Sequence, residues 1–284
     1  MHTSADTLQN TLQQARKARR LSQLELSMRV GVSQRHLSFV ESGRAKPSRA
    51  LLIAWLQELE APLALQNAAL LQAGYAPAYS AASLSDPTLA QANDALVHLV
   101  NAHDPLPAMI LDVEWNVLHM NNGAKWLATT LVPWLTDALA SAVQKTSATP
   151  TLNMLDLLVH PDGICQRIVN ISEVAPSLLA HIRRDAAAHP TLAPKAEALA
   201  ALLQTRLGTN AVHNVWTPPT APVLTTRFAT VHGELAFFSM FTTFGTPQDI
   251  TLASLRVEHL FAADEGTRRL LEQSQANESI SSDS

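Results

Sequence analysis

Apolar positions in the first 75 or so residues recur at helical spacing, and the residues between them are those that start and stop helices, which predicts one compact domain of five short helices. Ser22 and Glu25 have the spacing of a capping box, so one helix begins there. Leu24 and Met28, four apart, share a face of that helix, and Gly31 supplies the permissive backbone of a tight turn. Ser33 can cap the next helix, in which Leu37 and Val40 point inward with Val32 while Gln34, Arg35 and Ser38 point outward. Pro47-Ser48 opens a fourth helix through Trp55 to Leu59. Pro62 opens a fifth, through Leu65, Leu70 and Leu71 to Gly74. Tyr75 to Tyr79 and Asp86-Pro87 mark a linker. A helix of roughly 88 to 103 follows, with Leu89, Leu96, Leu99 and Val100 on one face. That stripe suits either ordinary packing or a dimer seam.

From Pro107 the period shortens. Pro107 to Leu111 and Asn116 to Met120 are short apolar runs around a polar turn, which predicts a hairpin; Ala124 to Leu131 then reads as a helix. Further helices are expected over roughly 151 to 159, 173 to 188 and 193 to 206, broken at Pro161-Asp162-Gly163 and at Pro190. Strands are expected at Val223 to Val231, Glu234 to Phe244 and near Ile250 to Val257. Two strands, several helices and three strands describe an α+β domain with a five-stranded antiparallel sheet, a layout that resembles a PAS domain. The expected division is an all-α domain over 1–76, a linker and connecting helix over 77–104, the PAS-like domain over 105–272 and a disordered polar tail over 273–284.

Charge separates the two ends. Residues 1–60 hold nine Lys and Arg against five Asp and Glu, about +4, while the remaining residues hold eleven against nineteen, about −8. One end suits a polyanion and the rest does not. Within the basic end, Gln34 can bond adenine in bidentate fashion and Arg35 guanine, each pair contributing roughly 1–3 kcal/mol of base discrimination. Arg44, Lys46 and Arg49 follow as phosphate contacts that set register. The expected partner is double-stranded DNA.

The 284 residues, 47% apolar and 15% charged, are enough for two globular domains with ample core. Between Trp126 and Val143, Pro133 and Asp137 interrupt one of the most apolar windows, so no membrane span or membrane partner is expected. His2, Thr3 and Asp6 do not open a secretory signal, and the lone Cys165 excludes an intramolecular disulfide; the bacterial cytoplasm, at the nucleoid, is the expected compartment. No H-x-x-x-H, H-E-x-x-H, G-x-S-x-G or phosphate-cradling glycine loop is present, so no enzyme and no metal site are expected. His160 to Gly163 reads as a turn.

The string GVSQRHLSFVESGRAKPS resembles the lambda-repressor-like helix-turn-helix of XRE-family transcriptional regulators. That resemblance implies phosphate contacts from Ser22, Gln23 and Ser42 beside Arg44 and Lys46, and base reading by Gln34, Arg35, Ser38 and Phe39. It also implies a structural pair, Arg16 with Glu41. HPDG at His160, RIVN at Arg167, AGYAPAY at Ala73 and the run from Gly233 to Leu255 resemble regulators with an MmyB-like ligand-binding domain. Relatives commonly carry a Trp near Glu173, where this chain has Val174. The resemblance implies a regulator that senses an apolar, fatty-acid-like molecule. The residues add candidates for its pocket: Met109, Met120, Trp126, Met154, Phe237, Phe238, Met240 and Phe241 as adaptable or bulky walls, and Arg167, His181 and Arg183 for a carboxylate head. A homodimer on a pseudo-palindromic operator is expected, with recognition helices about one DNA turn apart. Two alternatives stay open: a C-terminal domain that only dimerises or binds a protein partner, and a haem- or flavin-binding PAS sensor.

Overall fold

The computed structural model describes residues 7–136, 152–208 and 222–282, and the chain forms two compact units, residues 1–89 with 245–253 and residues 90–244 with 254–284. His2, Thr3, Asp6, Asp137 and Val143, used in the sequence reading, lie outside the described residues, as do residues 283–284 of the expected tail.

The first unit contains α1 (Leu8–Ala18), α2 (Gln23–Arg29), α3 (Gln34–Glu41), α4 (Arg49–Glu58) and α5 (Leu63–Gln72). Hydroxyl caps start four of them: Thr7, Ser22, Ser33 and Ser48 each accept an amide three residues on. Ser22 and Glu25 complete the capping box. Leu12, Leu26, Leu37, Val40, Leu52 and Trp55 form a fully buried core. Leu24 and Met28 do share a face of α2, but it is the outer one; they are 50% and 67% exposed while Leu26 is buried. A four-residue spacing identifies a common face without saying which way it turns. Residues 245–253 join this unit through Asp249, which accepts from Ser80 Oγ at 2.5 Å and the Ala82 amide at 3.2 Å.

The second unit is built on a five-stranded antiparallel sheet of order β2-β1-β5-β4-β3, with β1 (Ala108–Leu111), β2 (Val117–Met120), β3 (Thr226–Thr230), β4 (Gly233–Thr242) and β5 (Arg256–Ala262). Helix α6 (Ala90–Asn101) buries Leu96 and Val100; Leu99 sits at its rim, 40% exposed. The other side of the sheet meets α7 (Asn122–Leu131), α8 (Met154–Val159), α9 (Ile164–Arg167), α10 (Ile171–Ala188) and α11 (Ala193–Leu207), whose apolar faces share the main core with Met109, Leu111, Phe228 and Phe237. Asn121, 1% exposed, ties the layers together. Its oxygen accepts from Ala108 N and Ala124 N, and its amide donates to the Val100 and Leu106 carbonyls.

Two sequence expectations need correction. The third C-terminal strand does not run over Ile250 to Val257: Ile250–Ser254 is a short helix, α12, and the strand starts at Arg256. Asp249 causes the difference, because its Oδ1 accepts from Thr251 N and Leu252 N and so turns the backbone into a helical start. The expected disordered tail instead continues α13 (Glu265–Ser282), where Glu, Gln, Leu and Ala favour helix.

Gly123 permits a close approach. A Cβ there would strike the Pro105 carbonyl oxygen, so G123A is expected to cost about 1–3 kcal/mol through overpacking, read as a lowered urea midpoint. The HPDG segment is a turn, closed by Gly163 N to His160 O at 2.9 Å and Asp162 N to His160 Nδ1 at 3.1 Å.

Candidate nucleic-acid interface and ligand cavity

Helices α2 and α3 form a helix-turn-helix, with Gly31 at φ +71° turning the chain between them. Gln34 and Arg35, in the first turn of α3, are exposed; Ser38 and Phe39 are half-buried one turn on. The Phe39 ring lies beneath two cations, with the Arg35 guanidinium carbon 5.3 Å and that of Arg44 5.9 Å from its centroid. Phe39 therefore acts as a platform that limits where both arginines can reach. Lys46 is exposed over the Tyr75 ring at 4.8 Å, Ser42 is exposed with its hydroxyl on the Phe39 carbonyl at 3.2 Å, and Arg49 is exposed.

Glu41 closes α3 from within. Its carboxylate is 2% exposed and accepts from Arg16 Nε at 2.7 Å, Arg16 Nη2 at 2.8 Å and Gln23 Nε2 at 2.8 Å. Arg16 Nη1 also donates to the Leu21 carbonyl at 2.7 Å. The hydrogen bonds to Glu41 hold the Arg16 guanidinium above its ordinary pKa against the opposing effect of burial. The Arg16–Glu41 pair is thus present, fixing α3 to α1. Gln23, expected on a phosphate, has its amide nitrogen on Glu41. Ser22 uses its hydroxyl to cap α2.

In the second unit, the sheet and helices α7 to α10 line an apolar cavity of about 160 Å³. Met109, Met120, Phe228 and Phe237 form its sheet side, Leu127 and Met154 part of its helical side. Walls this apolar suit an apolar ligand better than water. Its polar wall atoms come from Thr226, Ser239 and Glu258 among the residues with polar side chains other than Trp115. Glu258 lies opposite Met109 of β1 and Phe241 of β4. Burial pushes its carboxyl up to about 7, against the lowering effects of Arg256 and of the Ser239 hydroxyl bonded to it.

Trp115, at one end of the cavity, is held in the left-handed region at φ +66°. Its indole nitrogen donates to Asp185 Oδ2 at 2.9 Å, and Arg256 Nη1 donates to the same oxygen at 2.7 Å. The guanidinium carbon of Arg256 stands 4.1 Å from the Trp115 centroid and 5.6 Å from that of Phe241. His181 borders this cluster, and burial lowers its pKa against the raising effect of Asp185.

Comparison with known proteins decides the assignment. The MmyB-like transcription regulator ligand binding domain matches residues 92–273, which is more than half the chain, and a helix-turn-helix model matches residues 12–65. The chain belongs to the MmyB-like transcription regulators. No individually curated protein matches it. A solved chain described as an RNA-binding Light-Oxygen-Voltage receptor is 13% identical, with 97% of this chain and 65% of that one covered at a TM-score of 0.25. The chain thus spans about two-thirds of that protein's length.

For this MmyB-like regulator the cavity brings together Met109, Met120 and Met154 of the expected ligand residues, with Phe237 beside them. The others are elsewhere. Trp126 stacks on His232 at 5.5 Å, and Phe238 on Phe261 at 5.4 Å on the opposite face of β4. Met240, on that same outer face, is 56% exposed. Arg167 donates to the Leu131 carbonyl, Arg183 is exposed, and His181 and Phe241 belong to the Arg256 cluster. Val174 lines the cavity. Cys165 is buried and its thiol is pushed up to about 11, an unreactive state. Among the described residues no cluster of His, Cys, Asp and Glu is arranged to hold a metal, and no helix is long and apolar enough to cross a membrane.

Sequence reasoning missed Trp115, Ser239, Arg256 and Glu258. The available signal is the pair Arg256 and Glu258, two apart on a strand and so on one face, but the strand expected from the sequence ends at Val257.

Proposed function

We propose that this MmyB-like regulator reads DNA through Gln34, Arg35, Ser38 and Phe39, and that an apolar molecule in the cavity of its second unit alters that binding. The observation that carries the reading is an apolar cavity in a ligand-binding family domain, on a chain whose helix-turn-helix exposes Gln34 and Arg35. Ser42, Arg44 and Lys46 supply phosphate contacts around the base-reading face, joined by Ser22 and Gln23 where their amides and hydroxyls have bonding capacity left. Two protomers bind a pseudo-palindromic operator, half-sites about one turn apart. Ligand must favour one arrangement of the dimer, by a coupling of roughly 1–3 kcal/mol. No catalytic step is assigned. Among apolar ligands, a fatty acid is suggested by the family resemblance and by the methionine-rich wall. A haem-binding reading has less support, since among the described residues no histidine or cysteine lines the cavity.

Native mass spectrometry of the full chain, repeated after organic extraction, tests the reading. A dimer that loses a small apolar molecule on extraction is expected. A chain that carries nothing and is not stabilised by any apolar additive would leave the second unit with an assembly role only.

A further inference from the structure

The chain between β4 and β5 does more than turn. Those strands pair as far as Thr242 opposite Val257, and a hairpin closes with about two to five residues. Here the chain leaves the sheet after Thr242, and residues 245–253 are part of the first unit. The two strands it joins carry Phe237, Ser239, Glu258 and Leu260 of the cavity wall. We propose that this excursion is the coupling element of the regulator, in which the bond between Asp249 and Ser80 transmits occupancy of the cavity to the helix-turn-helix. This rests on the ligand-sensing reading above and names the residues through which it acts.

Asp249 is 4% exposed, and both of its oxygens are used. Oδ1 caps α12 by accepting from Thr251 N at 2.8 Å and Leu252 N at 3.3 Å, while Oδ2 accepts from Ser80 Oγ at 2.5 Å and Ala82 N at 3.2 Å. The Ile250 amide donates to the Ser80 carbonyl at 2.8 Å, so backbone and side chain hold the same residue. Ser80 in turn ends a segment pinned to the helices of the first unit. Asn67 of α5 accepts from the Ala78 and Tyr79 amides at 2.9 and 3.1 Å and donates to the Tyr79 carbonyl at 2.8 Å. The Tyr79 hydroxyl donates to Gln66 of α5 at 3.0 Å and accepts from Gln57 of α4 at 3.2 Å. Earlier in the same segment, the Tyr75 hydroxyl donates to the Pro47 carbonyl at 2.9 Å, and the Tyr75 ring lies 4.8 Å from the ammonium of Lys46, one of the proposed phosphate contacts. A slack linker would absorb a displacement of 245–253. This pinned segment instead carries it by hydrogen bonds to α4, α5 and the neighbourhood of Lys46.

Ser80→Ala is the variant that isolates the bond, because it deletes the Oγ donor and leaves the cap of α12 on Oδ1 in place. Dodecanoate serves as the probe. Its binding to the full chain is read by calorimetry, and affinity for a duplex selected from random sequence is read by anisotropy with and without it. In the wild type, dodecanoate should change duplex affinity by about fivefold or more, and by reciprocity the duplex should change dodecanoate affinity by the same factor. In Ser80→Ala that factor should fall to within about twofold of unity while dodecanoate and the duplex each still bind; Ser80→Thr, which keeps the hydroxyl, should retain it. A bond with a structural role only gives a lower melting temperature with the coupling factor unchanged, and that result overturns the proposal. So does a wild type that binds dodecanoate without any change in duplex affinity. Failure of the wild type to bind dodecanoate at all sinks the ligand reading beneath the proposal, and the proposal with it.

Discussion

Replacing Arg16 with methionine is expected to destabilise the N-terminal unit by about 3–5 kcal/mol, because it leaves the Glu41 carboxylate buried with Gln23 as its remaining side-chain partner. The pair is 11% and 2% exposed and bidentate, so it belongs with buried ion pairs and not with surface pairs worth under about 1 kcal/mol. Loss of the Arg16 bond to the Leu21 carbonyl adds a second unmet acceptor at the start of α2. Calorimetry of the full chain should show the transition of this unit lowered by about 10 °C or more. Replacing both partners, Arg16→Met with Glu41→Leu, should recover most of the loss, since the unpaired charge and not the missing attraction sets the cost. A loss below about 1 kcal/mol for Arg16→Met would show that water reaches Glu41 and that the pair does not anchor α3.

Glu258→Gln is expected to stabilise the second unit at pH 8 and to be neutral at pH 4. Burial raises the carboxyl from 4.5 to about 7, so the folded protein holds a proton that the unfolded chain releases. Below the unfolded value both states are protonated and stability is complete. As pH rises through the window from 4.5 to 7, ionisation of the unfolded chain draws stability away progressively, reaching on the order of 3 kcal/mol above 7. Glutamine keeps a polar partner for Ser239 and cannot ionise, which removes that slope. Urea midpoints across pH 4 to 8 read the effect; parallel curves for the two proteins would mean that Arg256 already holds Glu258 ionised.

The helix-turn-helix was legible because its signals are local. Ser22, Glu25, Ser33 and Gly31 act within a few residues of themselves, so caps and turn can be read without knowing the packing. Orientation was not local: Leu24 and Met28 face outward because the core, absent from the sequence, is reached by Leu26. Phe39 likewise could be assigned no partner until Arg35 and Arg44 were placed around its ring. The sheet was legible in strand number and in the β1–β2 hairpin. Its last strand was misplaced because an apolar run after Asp249 reads as a strand until the aspartate is recognised as a cap. That error hid the cavity's acidic residue, which lies beyond the expected strand end.

The central claim is that Arg35 and Gln34 read bases, and fluorescence anisotropy on a duplex selected from random sequence tests it most directly. Wild-type protein should prefer the selected duplex over a scrambled one at 150 mM salt. Arg35→Ala should lose about 1–3 kcal/mol on the selected duplex and little on the scrambled one, with salt-dependent binding to both retained. Equal weakening on both duplexes, or no preference in the wild type, would contradict the account.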